Sequence, residues 1–274
     1  MVPAITILYM AITLFLSVLV PVLILVLLRI KAGKNVYVPW LAGALGFFVP
    51  QMIIRIPLMQ LAGYLPGFMG FVENNLYMYF AFLAVSAAVF ETAGRLIVFK
   101  IVLKHRLSYV TGLSAGAGHG AIESILIIGM TYVNNLVFSI LLNNDLLSVI
   151  IKDESTLDGL IQSLTGTSSE LFLMAGVERV FTMALHICLS VILVFFILKS
   201  RTILGVILVL TIHAAVDFAA VVLQYNGWSP LLIEGSLFAV AVISVITVVW
   251  IRKYFKVDEE IYEEPAEAAV REGY

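Results

Sequence analysis

The chain has 274 residues, of which 62% are hydrophobic and 12% charged, with a mean hydropathy of +1.07 and a formal net charge of −2. A soluble domain is about a quarter charged, so this composition excludes an ordinary soluble globule and indicates an all-α polytopic membrane protein. The near-neutral balance carries no basic nucleic-acid footprint. The one cysteine, Cys188, lies in an apolar run, which excludes an intrachain disulfide and reads as a small core residue.

Runs long enough to cross ~30 Å of hydrocarbon occur seven times, at about 4–28, 37–62, 75–103, 109–142, 170–198, 202–224 and 229–251. The first has no basic n-region and no small-residue cleavage site, so it is expected to be a retained anchor. Pro21, Pro39 and Pro50 predict kinks or helix starts in the first two spans. The fourth run is long for one span, and part of 132–142 is expected to project beyond the bilayer. The polar stretch 143–169 could hold a short surface helix. Residues 1–256 read as a single transmembrane domain, and 257–274 as an acidic tail expected to be disordered.

The loops alternate in charge. Arg29, Lys31 and Lys34 follow the first span, Lys100, Lys104 and Arg106 the third, Lys199 and Arg201 the fifth, and Arg252, Lys253 and Lys256 the seventh. The intervening loops are neutral or acidic. The positive-inside rule then places the N-terminus outside and the C-terminus in the cytoplasm of a plasma (inner) membrane protein. Arg55, near the outer end of the second span, is expected to snorkel.

Four spans carry ionisable residues deep in their apolar runs. "FETAGR" contributes Glu91 and Arg95, "GHGAIES" His119 and Glu123, "ERVFTMALH" Glu178, Arg179 and His186, and "HAAVD" His213 and Asp217. Glu91/Arg95, His119/Glu123 and His213/Asp217 are i,i+4 pairs, each on one helix face. At 1.5 Å per residue, Glu91 lies roughly 18 Å from the basic-loop end of its span, His119 about 15 Å, Glu123 about 21 Å, His186 about 18 Å, His213 about 16 Å and Asp217 about 22 Å. Unrelated polar residues would scatter over the bilayer, whereas one convergent site accounts for a common layer. Glu178 and Arg179 lie nearer the outer interface and read as an ion pair that ties helices together.

Three imidazoles, His119, His186 and His213, together with carboxylates form a ligand set suited to zinc, with an open position for water. A nearby carboxylate can then act as general base, a role open to Glu91 or Glu123, and Glu123 can equally serve as a ligand. Arg95 is placed to orient Glu91 or to hold a substrate carbonyl or carboxylate, and Asp217 to orient His213. Gly112, Gly116, Gly118 and Gly120 allow close approach of another helix or of a substrate backbone.

"FETAGR", "GHGAIES", the spacing from Arg179 to His186, and "HAAVD" together resemble the YhfC family of membrane peptidases, which is related to the CAAX-prenyl-endopeptidase/bacteriocin-processing and PrsW-type intramembrane proteases. The resemblance covers about 75–224. It implies that the family's first-motif glutamate falls on Glu91 and its basic partner on Arg95. The second-motif polar position falls on Glu123, the third- and fourth-motif histidines on His186 and His213, and the polar residue after the latter on Asp217. The chain departs from the prenyl-protease pattern in two places. Phe90 stands where paired glutamates would continue, and Glu123 stands where a histidine would, with His119 one turn earlier. The implied activity is cleavage of a membrane-bound or membrane-proximal peptide, with zinc or with a glutamate-activated water. A transporter or proton relay and a non-catalytic scaffold use similar buried clusters and stand as alternatives.

Overall fold

A computed structural model describes the backbone of residues 1–271 and the side chains of residues 1–255. Among the described residues all regular structure is helical. The side chains expected to form the acidic tail lie outside the described residues.

Helix α1 (Ala4–Ala32) ends where Gly33 takes φ +75°, a backbone conformation that glycine alone adopts cheaply, and a 3₁₀ turn, Gly33–Val36, leads into α2 (Tyr37–Phe47). A π-helical segment, Phe48–Arg55, continues α2 into α3 (Ile56–Ala62). Pro50 inside it has no N–H to give to the preceding turn, which is the physical reason the coil widens there. After the short α4 (Phe68–Asn74) come α5 (Leu76–Ile97), a π segment (Val98–Val102), and α6 (Tyr109–Glu123), whose N-cap Ser108 accepts the Thr111 amide. A third π segment, Ser124–Gly129, joins α6 to α7 (Met130–Asn143).

The expected surface helix between the fourth and fifth runs is present as α8 (Leu147–Ile150) and α9 (Glu154–Gly166). Asp153 caps α9 by accepting from Thr156 and Ser155, and these bonds hold its carboxyl down at about 2. Leu160 and Leu164 of α9 fold back onto Val2, Met10 and Tyr132, closing the acidic-loop end of the bundle. Helices α10 (Ser169–Leu198), α11 (Thr202–Tyr225) and α12 (Pro230–Arg271) complete the described residues.

Six helical runs are long and apolar enough to cross a membrane, where the sequence reading gives seven. The difference lies in the first of them, Ala4–Ala62, whose 59 residues include the break at Gly33. A straight helix of that length would be roughly 90 Å long, about three hydrocarbon thicknesses. The burial pattern is the reverse of a soluble protein's. Leu27, Leu41, Ile53, Ile207 and Ile246 face outward, while Glu91, Arg95, His119, His186 and His213 are between 1% and 3% exposed. Polar side chains lace the helices together: Thr13 donates to the Phe172 carbonyl (2.6 Å), Ser114 to that of Val36 (2.6 Å) and Ser124 to that of Ser17 (3.0 Å). Cys188 sits buried in the apolar core, as expected of a small core residue.

The glycines of α6 serve helix packing. Gly112, Gly116 and Gly120 press against Val191, Ile187 and Met183 of α10, and a Cβ on Gly118 would overlap the Trp40 carbonyl of α2. Gly118→Ala is therefore expected to lower the thermal melt in detergent by overpacking worth about 1–3 kcal/mol. An unchanged melt would mean that α2 and α6 can separate at no cost.

Candidate functional site

Close packing of α2, α5, α6, α10 and α11 brings the four sequence motifs to one place. Glu91 and Arg95 lie one turn apart on α5, His119 and Glu123 one turn apart on α6, His186 at mid-length of α10, and His213 and Asp217 one turn apart on α11. The rings of His119 and His186 have centroids 5.0 Å apart, and those of His186 and His213 are 5.4 Å apart. The common layer expected from the sequence is thus a single cluster in space.

The Glu91 carboxylate is at its centre. Its Oε2 lies 2.9 Å from His119 Nε2, 3.5 Å from the Arg95 guanidinium, 3.6 Å from His213 Nε2 and 3.9 Å from His186 Nδ1. Its Oε1 accepts from Gln51 Nε2 at 2.9 Å. The Arg95 Nη2 is 3.0 Å from His119 Nε2 and 2.7 Å from His186 Nδ1. On the other side of His186, Nε2 meets Glu123 Oε2 at 2.6 Å, and Glu123 Oε1 accepts from Arg179 at 3.1 Å. Arg179 also pairs with Glu178, so the expected tie between helices exists and runs through Glu123 to α6. His213 Nε2 is flanked by Asp217 at 3.4 Å, one turn on.

Four of these residues, Glu91, His119, Glu123 and His186, each offer a ligand atom, and all four atoms lie within 4.8 Å of one another. Zinc bonds to N and O of about 2.0–2.2 Å separate tetrahedral ligands by roughly 3.3–3.6 Å, so small shifts, spreading the closest pairs and drawing in the widest, fit the group to a cation. The donor chemistry fits too, and buried His119 Nδ1 and His213 Nδ1 have no partner among the described residues. The membership differs from the sequence expectation in one respect. Glu91 belongs to the four-donor group, while His213 faces Glu91 and Asp217 instead.

A cavity of about 160 Å³ abuts the cluster. Glu91, Glu123, His186 and His213 line it together with Arg179, Ala220 and Leu237. Two side chains depart from the sequence reading. Gln51 was not singled out, because a lone glutamine in an apolar run carries no motif, yet it is buried and bonded to Glu91. Arg55 does not snorkel. It donates to Ser86 Oγ (3.0 Å) and the Leu83 carbonyl (2.8 Å) of α5 and to Gln51 Oε1 (3.3 Å), so its guanidinium is taken up by acceptors within the protein.

Residues 16–237 match the sequence model of a family described as YhfC intramembrane metalloprotease. The chain is also similar to a Bacillus subtilis (strain 168) protein described as "Uncharacterized membrane protein YhfC", with 27% identity over 255 residues, covering 89% of this chain and 95% of that protein. No solved structure matches.

Proposed function

The chain belongs to the YhfC intramembrane metalloprotease family, and from that premise we propose that it hydrolyses peptide bonds of membrane-bound or membrane-proximal substrates at a zinc held by His119, His186 and Glu91, with Glu123 as proton acceptor. The observation that carries the reading is the four-donor group assembled from three helices beside a recess. Two histidines and one glutamate are a ligand set of catalytic rather than structural zinc, since they leave a position open. When bound, zinc supplies the Lewis acidity that polarises the scissile carbonyl and brings the attacking water into the neutral pH range.

The protein's own groups do the rest. Glu91 is closed in by Gln51, His119, Arg95 and His213, and its side chain is 4% exposed; Glu123 is 14% exposed on the cavity wall. A proton acceptor must exchange with water, which favours Glu123 for that role and Glu91 for holding the metal. As water oxygen adds to the carbonyl carbon, Glu123 takes its proton and returns it to the amide nitrogen as the C–N bond breaks. Arg179 fixes the Glu123 carboxylate for both transfers. Gln51 and His213, the latter steadied by Asp217, orient Glu91 through its two oxygens.

The test is reconstitution in proteoliposomes with transmembrane peptides. Cleavage should be abolished by 1,10-phenanthroline and restored by zinc. Cleavage indifferent to the chelator would favour a glutamate-activated water without metal. No cleavage of any peptide, with the cluster intact, would favour the scaffold or proton-relay reading.

The same reading takes the basic loops as cytoplasmic in the plasma (inner) membrane. Reporter fusions after Lys34, Arg106 and Arg201 are expected to read cytoplasmic, and fusions near Ser155 external. A cytoplasmic reading at Ser155 would invert the arrangement.

A further inference from the structure

We propose that Arg95 is a displaceable occupant of the metal position: its guanidinium holds the donor cage together without metal, and zinc enters only as that guanidinium leaves. This rests on the metal reading above and adds to it a competitor built into the chain.

The argument begins with where one nitrogen sits. Nη2 of Arg95 is 2.7 Å from His186 Nδ1, 3.0 Å from His119 Nε2 and 3.5 Å from Glu91 Oε2. A guanidinium only donates, so both ring nitrogens must present lone pairs to it. His119 Nε2 and Glu91 Oε2 are then two lone-pair atoms 2.9 Å apart, a contact that the guanidinium beside them makes favourable. Those lone pairs are the ones a metal would take. Three donors thus converge on a positive charge that the chain itself provides, and two cations cannot share one cage.

The grip on Arg95 is also of the kind that releases. A structural arginine usually engages a carboxylate through two parallel N–H bonds. Here Nη2 alone makes the polar contacts, while buried Nε and Nη1 have no partner among the described residues. Arg95 is 2% exposed, so those unspent donors raise the free energy of the plugged state. The apparent affinity for metal is lowered by the fraction of time the cage is plugged.

Zinc affinity of the full chain in detergent, measured by competition with a chromophoric chelator, tests the proposal on wild type, Arg95→Gln and Arg95→Lys. Arg95→Gln is expected to bind zinc about tenfold more tightly or better, because the cage is no longer plugged. Arg95→Lys, whose compact ammonium cannot span both histidines, should gain less. Without metal the Arg95→Gln protein should melt earlier than wild type, and saturating zinc should raise its melt more than it raises that of wild type. Equal or weaker binding in both variants overturns the proposal, since Arg95 would then support the metal and not exclude it. If Arg95→Gln fails to fold, Arg95→Lys decides by the same criterion. Zinc bound by wild type with no gain in the variants refutes this inference alone; zinc bound by none of the three refutes it together with the metal reading.

Discussion

Replacing Glu91 by glutamine is expected to abolish cleavage and to strip the metal from the site. The substitution keeps the shape of the side chain and its bond from Gln51, but it removes the negative charge on which His119, Arg95 and His213 converge. It also leaves Arg95 without a carboxylate at 2% exposure, and breaking a buried pair of this kind costs about 3–5 kcal/mol. Loss of activity in the single variant could therefore come from unfolding. The Glu91→Gln/Arg95→Gln double variant removes both charges and should recover the melt while remaining inactive. A folded Glu91→Gln protein that keeps its metal but loses cleavage would make Glu91 the proton acceptor. Full activity in a folded variant would remove it from the site.

Glu123→Gln is expected to fall by about 10²–10⁴-fold in kcat, the usual contribution of a positioned general base, while keeping its metal. Glutamine keeps one oxygen to accept from Arg179, so that α6–α10 contact survives, but its NH2 cannot accept from His186 Nε2 as the carboxylate does, and the melt should fall modestly. Substrate binding should be nearly unchanged, which places the loss in kcat and not in KM. Metal loss in this variant instead would mean that Glu123 is a ligand, and the roles of the two glutamates would have to be exchanged.

Much of the site was legible because the bilayer makes charge conspicuous. Glu91, Arg95, His119, Glu123, His186, His213 and Asp217 stand out in apolar runs, and their similar depths follow from residue counting alone. Depth gives height along the helices but not rotation about them. The sequence reading therefore could not tell that Glu91 rather than His213 would join the four-donor group, nor that Arg95 would reach both His119 and His186. Gln51 was hidden for a related reason. It lies in the π segment after Pro50, and the wider coil there changes which face a residue takes, beyond what a 3.6-residue period describes. Arg55 shows the limit of a rule that treats every span as lipid-facing, since α5 supplied its acceptors. The first two spans read as separate from their hydropathy, and the structure joins them through a tight turn at Gly33.

The central claim is that a metal ion sits among residues of α5, α6 and α10, and elemental analysis of the detergent-purified full-length protein tests it most directly. Wild type is expected to carry one zinc per chain, and the His119→Ala/His186→Ala double variant, confirmed as folded by its thermal melt, is expected to carry none. Equal metal content in the two proteins, or a metal-free wild type that still cleaves peptides, would contradict the account.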